Sequence, residues 1–287
     1  MNRIVKIVII VIFLLLFSLF GMKLFVNHNK NKFQIPVLMY HNIVLDDFLE
    51  MHPDGIQVTT FENQLKYLHD NNYKTLTMDE LYDWLVNGKE IPKKSVVITF
   101  DDGFYSFHYL AEPLLKKYDM HAICFVIGNL VGDLTPEFDP FEYGTIGKDL
   151  INNHSQNVEY GSHSYNLHQE TKGVKKIQKL SKKELEEDVK KENSIYDFKY
   201  MAYPFNVESK KMISVLKKYN YKLAFKGESE MVSRSANQFE ITRIGVDNNM
   251  DHFKEIFESN KYKNRYGYGF IRKVMITLER KIGKRLF

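Results

Sequence analysis

Cysteine is nearly absent, at one in 287 residues. That excludes an internal disulfide and a cysteine-rich zinc site. Cys124 itself lies in the apolar run Ala-Ile-Cys-Phe-Val-Ile and reads as a core residue. Internal repeats and low-complexity tracts are missing too, so a repeat architecture is not expected. A general excess of basic charge is also lacking. The chain carries a formal +4, and residues 261–287 alone hold nine basic side chains against one acidic. A surplus so local, in a chain that opens on an apolar segment, does not suit a nucleic-acid partner.

That opening segment, residues 4–26, is apolar apart from Lys6 near its start and Lys23 near its end. Roughly 20 apolar residues cross a bilayer as a helix, and lysines at its ends can snorkel. Residues 1–26 therefore read as a transmembrane signal anchor. A cleaved signal peptide is the other reading, but Phe-Ser-Leu-Phe-Gly-Met-Lys offers no small-x-small cleavage site. Residues 27–34 read as a polar linker, and residues 35–259 as one large domain. Residues 260–287 form a basic tail in which Ile271, Val274, Met275, Leu278 and Ile282 share one helical face. Such a helix either lies on an anionic surface or packs on the domain with its basic side solvated.

Within the domain, short apolar runs alternate with amphipathic segments. Strands are expected at 36–41, 95–100, 122–127, 158–162, 200–203, 222–225 and 240–246. Helices are expected at 60–71, opening on a capping threonine, and at 78–86, 105–118, 181–196, 209–219 and 251–259. The helix at 181 starts with the capping-box pattern Ser-Lys-Lys-Glu. Residues 135–157 read as an irregular surface insertion. About seven strand–helix units in this order predict an α/β fold, a distorted (β/α)7-type barrel preceded by one N-terminal transmembrane helix.

The stretch with the clearest chemistry is Val-Val-Ile-Thr-Phe-Asp-Asp-Gly, residues 96–103. A buried strand ends there in two adjacent carboxylates. Chemistry in strand-and-helix folds collects at that end of the strands. Two neighbouring carboxylates repel unless a cation or a shared proton relieves them. Either the pair binds a metal through one member and uses the other as a base, or it is a solvated Asp-Gly turn. Farther on, Glu-Tyr-Gly-Ser-His-Ser-Tyr-Asn-Leu-His holds His163 and His168 just after a short strand. Two imidazoles and one carboxylate make a three-ligand site with a position left open, the arrangement of catalytic rather than structural zinc.

Thr99-Phe100-Asp101-Asp102-Gly103, followed by His163-Ser164 and His168, resembles the polysaccharide deacetylase domain, carbohydrate esterase family 4, NodB type. The resemblance runs over residues 35–257. Tyr40-His41, Ala202-Tyr203-Pro204-Phe205 and Thr242-Arg243-Ile244 fit its remaining motifs. The histidine spacing and the Ala-Tyr-Pro form are similar to those of the biofilm deacetylases that act on poly-β-1,6-N-acetylglucosamine. The resemblance implies that Asp102, His163 and His168 bind a divalent metal, zinc first, with cobalt or nickel as alternatives. It makes Asp101 the general base and the Phe205 N–H the oxyanion donor, beside Tyr203 and Pro204. His41 and Tyr165 are candidates for lining the sugar groove. Two departures stand out. The family's arginine that holds the catalytic aspartate is replaced by Ala202, which leaves Arg243 for that role. The late Leu-His motif that supplies a general acid has no clear match, with His252 the nearest histidine.

The expected activity is metal-dependent removal of N-acetyl groups from a surface polymer containing N-acetylglucosamine, with poly-β-1,6-N-acetylglucosamine preferred and peptidoglycan or another surface polysaccharide as the alternative. A catalytically weak sugar-binding module assisting polymer export is the reading from another class. The expected partners are the acetylated amino-sugar polymer and the cytoplasmic membrane. The expected location is the cell membrane, single-pass with the catalytic domain outside, or secreted after cleavage.

Overall fold

Eight parallel strand segments follow one another around the main sheet, β1 (Val37–Tyr40), β2 (Ser95–Phe100), β3 (Ala122–Val126), β4 (Val158–Ser162), β5 (Tyr200–Ala202), β6 (Leu223–Lys226), β7 (Ile241–Thr242) and β8 (Ile244–Gly245), and a ninth, Lys74–Thr75, pairs with β2 off that path. The eight pair in the order β7-β6-β5-β4-β3-β2-β1-β8. The two ends of that order are separated in sequence by Arg243 alone. Phe225 on β6 faces Ile241, and Leu38 on β1 faces Ile244. One stretch of chain thus bonds to both edges and nearly closes a parallel barrel. The computed structural model describes residues 33–259, with Ser18 and Lys261 as isolated additions. Ile35–Tyr262 form one unit, and the other, Met1–Gln34 with Lys263–Phe287, lies almost wholly outside the described residues.

Alternation along the strands sorts the side chains into two apolar clusters. Val37, Val97, Ile123, Phe125, Ala202, Leu223, Phe225 and Ile241 point into the barrel, joined by Ile35 and Trp84. Leu38, Ile98, Phe100, Cys124, Val126, Met201, Ala224 and Ile244 point outward beneath the helices. Both faces are dry, which is why β2 reads as an unbroken apolar run. The interior is tight where Phe125 faces Gly161 across β3 and β4. A Cβ at Gly161 would lie 2.5 Å from the Phe125 ring, so this layer takes a large residue only beside a glycine.

The outer layer includes α1 (Val58–Asp70), α2 (Met78–Tyr82), α3 (Glu112–Lys117), α4 (Lys182–Asn193), α5 (Lys210–Lys218) and α6 (Met250–Glu258). Each of the longer ones buries an apolar stripe, such as Phe61, Leu65 and Leu68 on α1 or Met212, Val215 and Leu216 on α5. The capping box of α4 is formed by Ser181 and Glu184. Thr60 does not cap α1. That helix starts at Val58, directly after a short strand, and Asn248 Oδ1 accepts the Gln57 N–H at its entry. Tertiary contact replaces the local cap.

The expected fold needs one correction, the membrane helix. Among the described residues no helix is long and apolar enough to cross a membrane. The longest, α1, has 13 residues and an exposed polar face, and at 1.5 Å per residue it falls well short of a hydrocarbon core of about 30 Å. The apolar stretch behind the expectation, residues 4–26, lies outside the described residues except for Ser18, and so does the basic tail except for Lys261.

Candidate active site

Counting by twos along the strands carries the interior rows past the apolar layers to the site. Val97 and Thr99 lead to Asp101, Gly161 leads to His163, and Ile241 leads to Arg243. All three polar residues are buried at the carboxyl ends of their strands. Asp101 donates its backbone N–H to the Tyr40 carbonyl at 3.0 Å, which extends the β1–β2 ladder by one residue. The chain then turns sharply. Asp102 and Gly103 both adopt left-handed backbone, with φ of 71° and 72°. Aspartate tolerates that conformation. At Gly103 a Cβ would stand 3.1 Å from the Val126 backbone, so glycine suits the close approach. The turn sends two adjacent carboxylates to different partners.

Asp101 is gripped by Arg243. Nη1 donates to Oδ1 at 2.6 Å and Nη2 to Oδ2 at 2.7 Å. The guanidinium is fully buried and also donates to Thr99 Oγ1 and to Asn206 Oδ1. Burial by itself would raise the Asp101 carboxyl, but the Arg243 charge and the Arg243 hydrogen bonds outweigh it and hold it well below the usual carboxylate range. His41, half-exposed, brings Nε2 to 4.0 Å from Asp101 Oδ2.

Asp102 faces the histidines. Its Oδ1 is buried and has no hydrogen-bond partner among the described residues. His163 Nε2 lies 3.5 Å from that oxygen and His168 Nε2 lies 3.7 Å from it. One ligand atom from each of the three residues falls within 4.8 Å of the others. His163 Nδ1 is 2.9 Å from the Ala202 carbonyl. That carbonyl can only accept, so Nδ1 carries the proton and Nε2 offers its lone pair to the cluster. Burial lowers the His163 pKa from its ordinary value despite the nearby carboxylates, which keeps the ring neutral. A buried carboxylate oxygen without a donor and two imidazole nitrogens aimed at it fit a divalent cation bound through two nitrogens and an oxygen.

Phe205 closes the far wall. Its ring stacks on His168 at 4.3 Å and 14°, and Lys175 Nζ stands 5.1 Å from the same ring. Phe205 and Asn206 hold left-handed backbone, with φ of 56° and 58°. Non-glycine residues adopt it where surrounding contacts impose it, often at functional sites.

Two of the expected side chains meet partners outside the cluster. Tyr203 is fully buried, and its hydroxyl donates to the Phe239 carbonyl. The Tyr165 ring meets Lys191 of α4. His252 pairs with Asp247 on the surface. Asn206 and Asp188 were not legible as site residues. Asn206 follows the Pro-Phe turn and accepts a hydrogen bond from Arg243 through its side chain, while Asp188 sits in a helix whose lysines and glutamates read as solvated.

A polysaccharide deacetylase family model matches residues 88–224. The poly-β-1,6-N-acetyl-D-glucosamine N-deacetylase of Staphylococcus aureus is 29% identical over 226 residues, 72% of this chain and 77% of that protein. Two solved structures share the fold at 24% identity: the deacetylase PplD of Streptococcus pyogenes, with a TM-score of 0.67 over 79% of this chain and 100% of that one, and IcaB from Ammonifex degensii, with 0.66 over 78% and 95%. The matched span holds the paired carboxylates and both histidines, and over it the chain is similar to the polysaccharide deacetylases.

Proposed function

We propose that the protein removes N-acetyl groups from poly-β-1,6-N-acetylglucosamine by metal-dependent hydrolysis. The observation that carries the reading is the convergence of Asp102 Oδ1, His163 Nε2 and His168 Nε2 beside an aspartate that Arg243 keeps ionised. The preferred polymer rests on the likeness to the Staphylococcus aureus enzyme.

Asp102, His163 and His168 would hold the cation, and zinc suits two imidazoles and a carboxylate. When bound, it supplies a water acidified toward neutral pH and polarisation of the acetamide carbonyl. Asp101 takes the proton of the attacking water. Arg243 occupies one lone-pair direction on each Asp101 oxygen and leaves another free to accept that proton. The Phe205 N–H, presented by its left-handed turn, is the donor assigned to the developing oxyanion. The bond between carbonyl carbon and nitrogen breaks, acetate leaves, and the sugar amine gains a proton. His41, partly exposed beside Asp101, would line the sugar groove.

Acetate release by the full chain across a small panel tests this: β-1,6- and β-1,4-linked N-acetylglucosamine oligomers, peptidoglycan and acetylxylan. The β-1,6 oligomer should turn over fastest, and a chelator should stop it. Faster release from peptidoglycan would overturn the polymer assignment. Undiminished turnover after exhaustive chelation, or in Asp101→Asn, would overturn the mechanism.

A further inference from the structure

The loop that carries His168 is held from outside the ligand cluster. Asp188, buried on α4, accepts two backbone N–H groups from it: Oδ2 from Tyr165 and Oδ1 from Asn166, both at 2.9 Å. On the other side Lys176 Nζ donates to the Asn166 carbonyl. The loop is also pinned to the barrel rim, where Gly128 N–H donates to the Ser164 carbonyl and Asn129 N–H to the Tyr165 carbonyl. Ser164 sits in left-handed backbone, φ 71°, which needs such restraint.

The two histidines depend on this restraint unequally. His163 follows β4 directly, is 2% exposed, and has its ring fixed by the Ala202 carbonyl. His168 is 29% exposed, and its ring is held by stacking on Phe205. Stacking lets a ring slide in its own plane, so the position of His168 Nε2 is set mainly by the backbone that bears it. A carboxylate taking two adjacent N–H groups fixes that backbone in both position and orientation.

We propose that Asp188 is a positioning residue that keeps His168 in the metal-ligand cluster by anchoring the 164–168 loop to α4. The proposal rests on the metal-binding reading above. Partners one step behind a ligand typically change metal affinity on the order of 10–100-fold, and Asp188 should fall in that range.

The test is Zn2+ affinity of the full chain, measured by competition with a chromophoric chelator. Asp188→Asn keeps the shape but sets an amide NH2 against a backbone N–H. It should weaken Zn2+ binding on the order of 10–100-fold, and excess Zn2+ should restore acetate release. In a His168→Ala background the same substitution should add little, because the ligand it positions is gone. Unchanged affinity in folded Asp188→Asn, or a full additive loss in the double variant, would overturn the proposal. If Asp188→Asn does not fold, Asp188→Glu is read the same way, since it keeps the charge and moves it by one methylene. Failure of both to fold would assign Asp188 to the fold instead and overturn the proposal as well. The underlying reading has its own control. If wild type and His163→Ala bind Zn2+ alike, metal binding at this site fails. If wild type binds and Asp188→Asn binds equally, only the role of Asp188 fails.

Discussion

Replacing Arg243 by methionine isolates the electrostatics of the site. Methionine retains much of the side-chain bulk inside the barrel and removes the charge. It leaves Asp101, 2% exposed, without its two hydrogen bonds of 2.6 and 2.7 Å. Removing one partner of a buried pair typically costs about 3–5 kcal/mol, because the other charge is left in a poor solvent. At about 2–4 °C per kcal/mol for a domain of this size, the melting temperature should fall by about 6–20 °C. With Arg243 gone, burial acts on Asp101 with less opposition and pushes its carboxyl up, so a base is lost as well. General-base catalysis typically contributes about 10²–10⁴-fold, and turnover should fall by a factor in that range. Arg243→Lys keeps a charge but not the fork, and should fall between methionine and wild type. The decisive variant is the double one, Asp101→Asn with Arg243→Met. If the cost is the stranded carboxylate, neutralising it should recover most of the stability while activity stays lost. Thermal unfolding and acetate release on the four proteins check this. A single Arg243→Met within about 1 kcal/mol of wild type, or a double variant no more stable than the single, would refute the reasoning.

Three further outcomes follow from other parts of the molecule. Glu159 lies at the end of the barrel away from the site, where it accepts the Met78 N–H, near Asp79, Glu80 and His121. Burial raises its pKa to about 7. A folded value above the unfolded one means that the group's full contribution is present below about pH 4.5 and is lost as pH rises through 7. Relative to Glu159→Gln, wild type should therefore lose on the order of 3 kcal/mol between pH 4.5 and 8 in denaturant titrations, and a difference that does not vary with pH would contradict this. Gly161→Ala should cost about 1–3 kcal/mol by overpacking against Phe125, and adding Phe125→Leu should return part of that loss in the same unfolding assay. Zn2+ at about 100 times its dissociation constant should stabilise the protein by about 2.7 kcal/mol, and His163→Ala should abolish that shift in thermal scans.

The features legible in the sequence are those whose cause is local. The apolar run of β2 is readable because both faces of a parallel barrel strand are dry, and the capping box at Ser181 because it uses residues three apart. The turn at Asp101-Asp102-Gly103 is marked by a glycine that the approach of Val126 favours. Where tertiary contact decides, the sequence misleads or is silent. Thr60 has the chemistry of a cap, yet α1 is entered through the Asn248 contact. Tyr203 stands in a motif beside the site, yet strand alternation turns its side chain outward into the core beneath the helices. Asp188 is masked by the lysines and glutamates around it, because helical sequence does not reveal that one carboxylate of many faces a distant loop.

Arg243 shows how fold and chemistry share one cause. It lies 142 residues from Asp101 in sequence, and strand alternation alone would place it inside the barrel wherever β7 happened to lie. What brings it to Asp101 is closure: residues on either side of Arg243 bond to opposite edges of the sheet, so the seam residue enters the interior beside β1 and β2. There it meets Thr99 and Asp101, consecutive members of the β2 interior row. Ala202, a small residue, packs among the interior residues. A barrel that failed to close would have no route for this guanidinium to the carboxylate. It would bury a lone charge at Asp101, which is among the costliest things a core can hold. The ion pair therefore favours the closed barrel, and the closed barrel keeps the base ionised.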